Sequence, residues 1–108
     1  MSDLLEKLAK DIDYSDWPML HWHFVRDSLF IVDEKLDLAD AALAIAENNE
    51  KQIGAWIESK EISRPSGEDV EKWRKEQQIF KCVVVSPFVL AQLSELPEGV
   101  EIQKPEEN

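Results

Sequence analysis

The sequence predicts one α/β (α+β-like) domain, with about four to five helices packed on a minimal two- to three-stranded sheet. Apolar residues recur at helical spacing in several segments. Two short runs rich in β-branched and aromatic residues, SLFIV at 28–32 and IFKCVVV at 79–85, read as buried strands. The length of 108 residues suits a single compact domain. We expect the globular domain at 1–94 and an acidic, mobile tail at 95–108.

The first third of the chain predicts two helices and then a strand. Leucine and isoleucine side chains form one stripe over 2–12. A second helix is expected over 17–26, where Asp16 can cap its N-terminus and Pro18 is tolerated in its first turn. The strand at 28–32 follows, bounded by charged residues on both sides.

The segment LDLADAALAIAENNEKQIGAWIESKEI, at 36–62, predicts two helices joined by a tight turn. The first has a narrow, alanine-rich face that lets another element approach closely. Asn48 and Asn49 are expected to end the first helix and start the second, since asparagine tolerates the left-handed conformation and also caps a following helix. Many DNA-binding proteins use such a pair. Here 47–61 carries four glutamates against two lysines, so we expect a packing device rather than a DNA-reading surface.

The last third predicts a short helix and the strongest strand of the chain. Ser66 and Asp69 have the spacing of a capping box, and Val70 and Trp73 form the inward face of the helix that follows. The strand at 79–85 comes next. The segment FVLAQL after it fits either a last helical turn or a short strand, and both readings stay open.

Charge and cysteine content exclude several classes of function. The formal net charge of −11 makes the surface repel phosphate, so we expect neither nucleic-acid binding nor attachment to an anionic membrane. A single cysteine allows no internal disulfide, and we find neither a signal peptide nor an apolar run of about 18 residues. We therefore expect a cytoplasmic protein.

The residues that could carry chemistry do not form a recognisable site. His21 and His23 would share a face on a strand, with Asp27 nearby, but they diverge by about 200° on the helix that we prefer. No further ligands are placed to complete a metal site. Cys82 lies among valines and reads as a small buried hydrophobe. No phosphate loop, nucleophile elbow or Cys-x-x-Cys motif is present. We therefore predict no cofactor and no metal, and we favour a noncatalytic protein.

One surface stands out as a candidate for recognition. Trp22 does not share the helical stripe of Trp17, and if it is exposed it is a natural hot spot for a partner. Our leading hypothesis is a regulatory or adaptor-type protein-interaction domain with a surface at His21, Trp22 and Arg26. A small-ligand binder or enzyme with a pocket at the same three residues is the alternative. A third hypothesis is nucleic-acid binding or DNA mimicry through 36–62. Two strands are marginal alone, so a homodimer through strand pairing is also open.

Several blocks together resemble a known family. These are RDSLFIVD, LDLADAALAIAENN, AWI, the RPS turn, Trp73 and VVVSPFVLAQ, in this order. As a set they are similar to the bacterial domain of unknown function 2288 family, over nearly all of residues 3–93. The resemblance implies a short bacterial cytosolic protein with an α/β fold. It implies no activity, cofactor or catalytic residue.

Overall fold

The computed structural model describes residues 3–100 and residue 102. Within these residues the fold is α+β, with five helices and one mixed sheet of five strands. The helices are α1 Asp3–Asp11, α2 Trp17–Val25, α3 Leu38–Ala46, α4 Glu50–Glu58 and α5 Gly67–Glu76. The strands are β1 Asp13–Asp16, β2 Leu29–Val32, β3 Ile62–Ser63, β4 Ile79–Val85 and β5 Phe88–Ser94.

The sheet has the strand order β1-β4-β5-β2-β3. β5 lies at its centre, antiparallel to β4 and parallel to β2. β1 pairs antiparallel with β4 at one edge, and β3 pairs antiparallel with β2 at the other. A two-residue connection, Ser86 and Pro87, joins β4 to β5.

The prediction of a two- to three-stranded sheet was wrong, because two edge strands carry no strand pattern of their own. β1 has the sequence DYSD, and its two aspartates are unfavourable in strands. It is held by its pairing with β4, in register from Asp13 opposite Cys82 to Asp16 opposite Ile79. β3 is only two residues long. The undecided segment 88–93 is a strand, and it forms most of β5.

One face of the sheet, called here the first face, is covered by α1 and α3. Leu8 of α1 and Ala41 and Ala42 of α3 are buried against Val83 and Leu90 of the sheet. The alanine-rich face predicted for α3 is confirmed. Because alanine is small, the helix backbone lies close to the strands, and five of the nine residues of α3 are buried.

The second face is covered by α2 and α5 through an aromatic cluster. The Trp17 ring lies 5.5 Å from the Trp73 ring, and the Trp73 ring meets the Phe80 ring edge-on at 5.2 Å. Edge-on pairs of this kind suit the charge distribution of aromatic rings. The inward positions predicted for Trp73 and Val70 are confirmed, since both are buried.

Helix ends follow the predicted capping chemistry. The Asp16 side chain accepts a hydrogen bond from the Met19 N–H at the start of α2. Ser66 and Asp69 form a complete capping box at the start of α5. Asn48, at φ 56°, ends α3 in the left-handed conformation. Asn49 then caps α4 by accepting from Gln52 N–H.

The two helices of the pair differ in how deeply they are buried. α3 is largely buried, but α4 has no fully buried residue. Trp56 is half-buried against the core of the first face, and Ile57 is 50% exposed. The interpretation as a packing device therefore describes α3 better than α4.

The completed sheet bears on the expectation of a homodimer formed by strand pairing. The sheet already has five strands, so it needs none from a second copy, and its edges are the short strands β1 and β3.

The predicted mobile tail at 95–108 lies partly outside the described residues, at 101 and 103–108. In the described part, Val100 N–H donates to the Pro97 carbonyl. Among the described residues, no helix is long and apolar enough to cross a membrane.

Candidate functional site

α2 presents two different faces, and the outer one holds the predicted recognition residues. Trp17 and Leu20 point into the second-face core. Trp22 lies on the outside with 64% of its surface exposed, and Val25, one turn further along the helix, is 58% exposed. Arg26 directly follows the helix and is also exposed. We call Trp22, Val25 and Arg26 the α2 patch.

His21 supports the patch from below rather than forming part of an open site. Its ring lies 5.5 Å from the Trp22 ring and 6.4 Å from the Trp17 ring, edge-on to both. Its Nδ1 is buried and has no hydrogen-bond partner among the described residues. His21 is therefore a packed histidine between two tryptophan rings.

The two histidines do not come together. The segment from 17 to 25 is helical, so His21 and His23 point in directions about 200° apart. The carbonyl of His23 accepts hydrogen bonds from the N–H and the hydroxyl of Ser28, which closes the turn after α2. No group of three or more metal-binding side chains occurs in the part of the chain that the structure describes.

Asp27 is engaged elsewhere. Its carboxylate forms a 2.6 Å ion pair with Arg64, across 37 residues of sequence. The Arg64 guanidinium also lies over the Phe30 ring, 5.5 Å from its centroid. Asp27 has a φ of 64°, so it ends the α2 segment in the left-handed conformation. The structure thus places Asp27 in a surface contact between the end of α2 and the end of β3.

A cleft of about 440 Å³ opens beside the start of α2, away from the α2 patch. It is lined by Asp16, Trp17, Pro18, Trp73, Arg74, Gln77 and Ile79. Its volume falls in the range of small-ligand pockets, about 300–1,000 Å³. However, Trp17 and Trp73 are only 2% and 5% exposed, so their rings offer almost no surface to a ligand. The cleft does not include His21, Trp22 or Arg26.

A smaller groove lies on the first face, where β2 and β5 begin. Its volume is about 150 Å³. It is lined by Phe30, Ile45, Asn48, Ile53, Ile57, Ile62 and Phe88, and we call it the apolar groove. Sequence reasoning missed it because isoleucines on the inner face of α4 are the usual signature of a core. The half-exposed state of Ile57 depends on how far α4 stands from the sheet.

Cys82 lies on β4, facing the second-face core. Burial raises the pKa of its thiol, and the nearby Asp13 carboxylate raises it further, while a hydrogen bond with Ser15 opposes both. The thiol is therefore protonated at neutral pH, whereas a nucleophilic cysteine needs the thiolate. This agrees with the interpretation of Cys82 as a packing residue.

Comparison with known proteins places the chain in a family without assigning it a function. The sequence model of a protein family of unknown function, DUF2288, matches residues 3–93. The chain belongs to this family. The resemblance seen in the sequence blocks is thereby confirmed over the same span, which runs from α1 almost to the end of β5. No curated protein matches the chain.

A solved structure supports the fold. The NMR solution structure of PA1075 from Pseudomonas aeruginosa superposes with a TM-score of 0.73 at 27% sequence identity. The match covers 95% of this chain and 94% of that chain. The two proteins therefore share one architecture over nearly their whole length.

Proposed function

We propose that this member of the DUF2288 family is a noncatalytic interaction domain that binds another protein through the α2 patch. The exposure of Trp22 carries this proposal. A tryptophan with 64% of its surface in water leaves a large apolar area without a partner, and tryptophan is among the residues most enriched at binding hot spots. Val25 and Arg26 extend the same surface along the helix.

The chemistry of the patch defines the kind of partner. α2 contains no aspartate or glutamate, although the whole chain carries a net charge of −11. Within the described residues, Arg26 forms no ion pair. The patch is thus an apolar surface with a free cation at one end. It fits a partner protein that presents an apolar contact area with a carboxylate at its rim, where Arg26 would form an interfacial ion pair.

The aromatic stack beneath Trp22 also favours binding. The edge-on contact with His21, which itself packs on the buried Trp17, restricts the Trp22 ring before any partner arrives. Ordering a side chain at an interface costs about 0.5–1.5 kcal/mol when it is free beforehand. A ring already held in place avoids part of that cost.

Affinity capture with matched variants tests the proposal. Tagged wild-type protein, Trp22→Ala, Val25→Ser and the control Val84→Ser, which removes an apolar side chain that is 61% exposed on β4, are used to capture proteins from the native lysate. We expect wild type and the control to recover one protein in near-equal amount, and both α2 variants to lose it. The recovered protein is then purified and titrated by calorimetry, with Arg26→Ala expected to weaken binding more at low salt than at high salt.

Two results would contradict the proposal. One is that the α2 variants bind the purified partner as tightly as wild type. The other is that Val84→Ser alone loses it, which would transfer the function to another surface. Bacterial origin, a cytoplasmic location, a strand-paired homodimer and the lack of nucleic-acid contacts remain predictions from the sequence.

A further inference from the structure

The apolar groove is a second surface without a partner, and it lies on the opposite face of the sheet from α2. The Phe30 and Phe88 rings meet edge-on, 5.6 Å apart, on the two neighbouring strands that form its floor. Ile53 and Ile57 of α4 form one wall. Since Ile57 is 50% exposed, this wall continues outward onto the solvent side of the helix.

The volume of the groove limits the size of the group that can occupy it. Pockets for drug-sized ligands begin at about 300 Å³. An apolar space near 150 Å³ accepts a group about the size of benzene. The groove, at about 150 Å³, is therefore too small for a drug-sized ligand and has the size of one bulky apolar side chain.

Gly54 provides a second, separate observation on the same helix. It lies one turn from Ile57 in the interior of α4, where glycine is unfavourable compared with alanine. A Cβ atom built at Gly54 meets nothing within 4 Å, so packing inside the domain does not require glycine there. The missing side chain instead leaves the backbone of α4 open to close approach beside the groove.

Charge around the groove distinguishes a basic partner from a second copy of the chain. The segment from 47 to 61, which contributes Asn48, Ile53 and Ile57 to the groove, has four glutamates against two lysines. Neither α3 nor α4 has a basic residue in its last turn, where a cation would be favourable. The rim cation Arg64 is already paired with Asp27. Two copies would bring these negative surfaces together.

We propose that the apolar groove is a docking site for a basic, amphipathic helical segment of another protein. One bulky aliphatic side chain of that segment enters between Phe30, Phe88 and Ile57. Its lysines or arginines face the glutamates of the segment 47–61, and its backbone approaches α4 at Gly54. This second site goes beyond the function proposed for the α2 patch and does not depend on it.

Isoleucine methyl NMR on the full chain tests the site directly. The first probe is a synthetic amphipathic helical peptide of leucine and lysine, and the second has glutamate in place of each lysine. We expect the lysine peptide to shift the δ1-methyl signals of Ile53, Ile57 and Ile62. The signals of Ile12 and Ile79, near the β1 edge, should stay in place. Added salt should weaken the effect, and the glutamate peptide should produce none.

Matched variants separate this site from the α2 patch. Ile57→Ser and Val25→Ser remove similar apolar side chains from similarly exposed helix positions, 50% and 58%. Ile57→Ser should lower the affinity for the lysine peptide by at least about tenfold, which is the loss expected when a hot-spot contact is removed. Val25→Ser should leave the affinity unchanged. Methyl spectra without peptide establish that both variants are folded.

Several outcomes would overturn the docking site. These are equal binding of both peptides, shifts centred on Ile12 or Ile79, and unchanged affinity in Ile57→Ser. A further one is groove shifts that grow with protein concentration when no peptide is present, because they would make a second copy the occupant. None of these outcomes bears on Trp22, so failure here leaves the function proposed for the α2 patch standing.

Discussion

The side-chain amide of Gln92 donates a 2.8 Å hydrogen bond to the backbone carbonyl of Leu36, joining the central strand to the loop before α3. The same Nε2 donates to the Asp33 carbonyl at 2.9 Å. Gln92 is only 5% exposed, so its buried amide makes both bonds at a partly buried site. A polar residue in the centre of the sheet thereby positions the chain between β2 and α3.

Replacing Gln92 with leucine should destabilise the fold. The Asp33 carbonyl would keep its bond from Leu36 N–H, so the loss falls mainly on the Leu36 carbonyl. An unpaired buried acceptor costs about 1–3 kcal/mol, and because this bond is only partly buried we expect a loss of about 1 kcal/mol. Urea unfolding followed by circular dichroism measures the change. Gln52→Leu, at an exposed helix position, is the control and should stay within about 0.5 kcal/mol of wild type. Equal midpoints for all three proteins would contradict the role of Gln92.

The tryptophans of α2 should differ sharply in their effect on stability. Trp17 packs against Phe24, Trp73 and Phe80, so Trp17→Ala should cost about 3–5 kcal/mol in the free energy of unfolding. Trp22→Ala, on the outer face, should cost no more than about 0.5 kcal/mol. Chemical denaturation compares them, with Trp17→Phe as an intermediate that keeps an aromatic ring. A large loss in Trp22→Ala would show that its ring is structural and would weaken the case for the α2 patch.

Gly54→Ala should stabilise the free protein. The site is helical and has open space around the new methyl group, so alanine should raise the free energy of unfolding by about 0.5–1 kcal/mol. The reverse change at the neighbouring exposed position, Ala55→Gly, is the matched control and should lower it by a similar amount. Thermal and urea unfolding measure both. A destabilised Gly54→Ala protein would mean that α4 packs more tightly than the structure shows.

The thiol of Cys82 should react with iodoacetamide more slowly in the folded protein than in urea. Burial, the largest cause, raises its pKa above the ordinary value of 9.0. Because Asp13 also raises the pKa and Ser15 lowers it, Asp13→Asn should shift the pH profile of the rate downward and Ser15→Ala upward. Identical profiles for the folded and unfolded protein would contradict the assignment.

The raised pKa of the Cys82 thiol also makes the free energy of unfolding decrease at alkaline pH. A folded pKa above the unfolded one means that the folded chain holds this proton more tightly. The contribution to stability is complete below pH 9.0, the unfolded value, and is lost as the pH rises through the raised folded pKa. Cys82→Ala should remove this part of the decline in alkaline urea titrations.

Local patterns predicted much of the fold correctly. The caps at Asp16 and Ser66 and the alanine face of α3 were readable because each depends on residues within one or two helical turns. The strand at 79–85 was readable because its β-branched run is itself the signal. The helical period separates Trp22 from Trp17 by about 140°, but the exposure of Trp22 was decided only by the structure.

The missed elements depend on distant parts of the chain. The sequence of β1, DYSD, becomes a strand only because β4 offers it unpaired backbone groups. β5 is the central strand, with Val89, Leu90 and Ala91 buried on both faces, and such short apolar runs do not reveal their secondary structure. The apolar groove likewise depends on how far α4 stands from Phe30 and Phe88.

By itself, the sequence determined the helices, their caps, the two strongest strands, the acidic surface and the family. These properties follow from short-range periodicity, local hydrogen bonding and the count of charges. Only the tertiary structure decided that the sheet has five strands, that Gln92 holds the loop before α3, and that α4 leaves an open groove. Each of these arises when residues far apart in sequence meet, and their geometry is set by the packing of the whole domain rather than by any one segment.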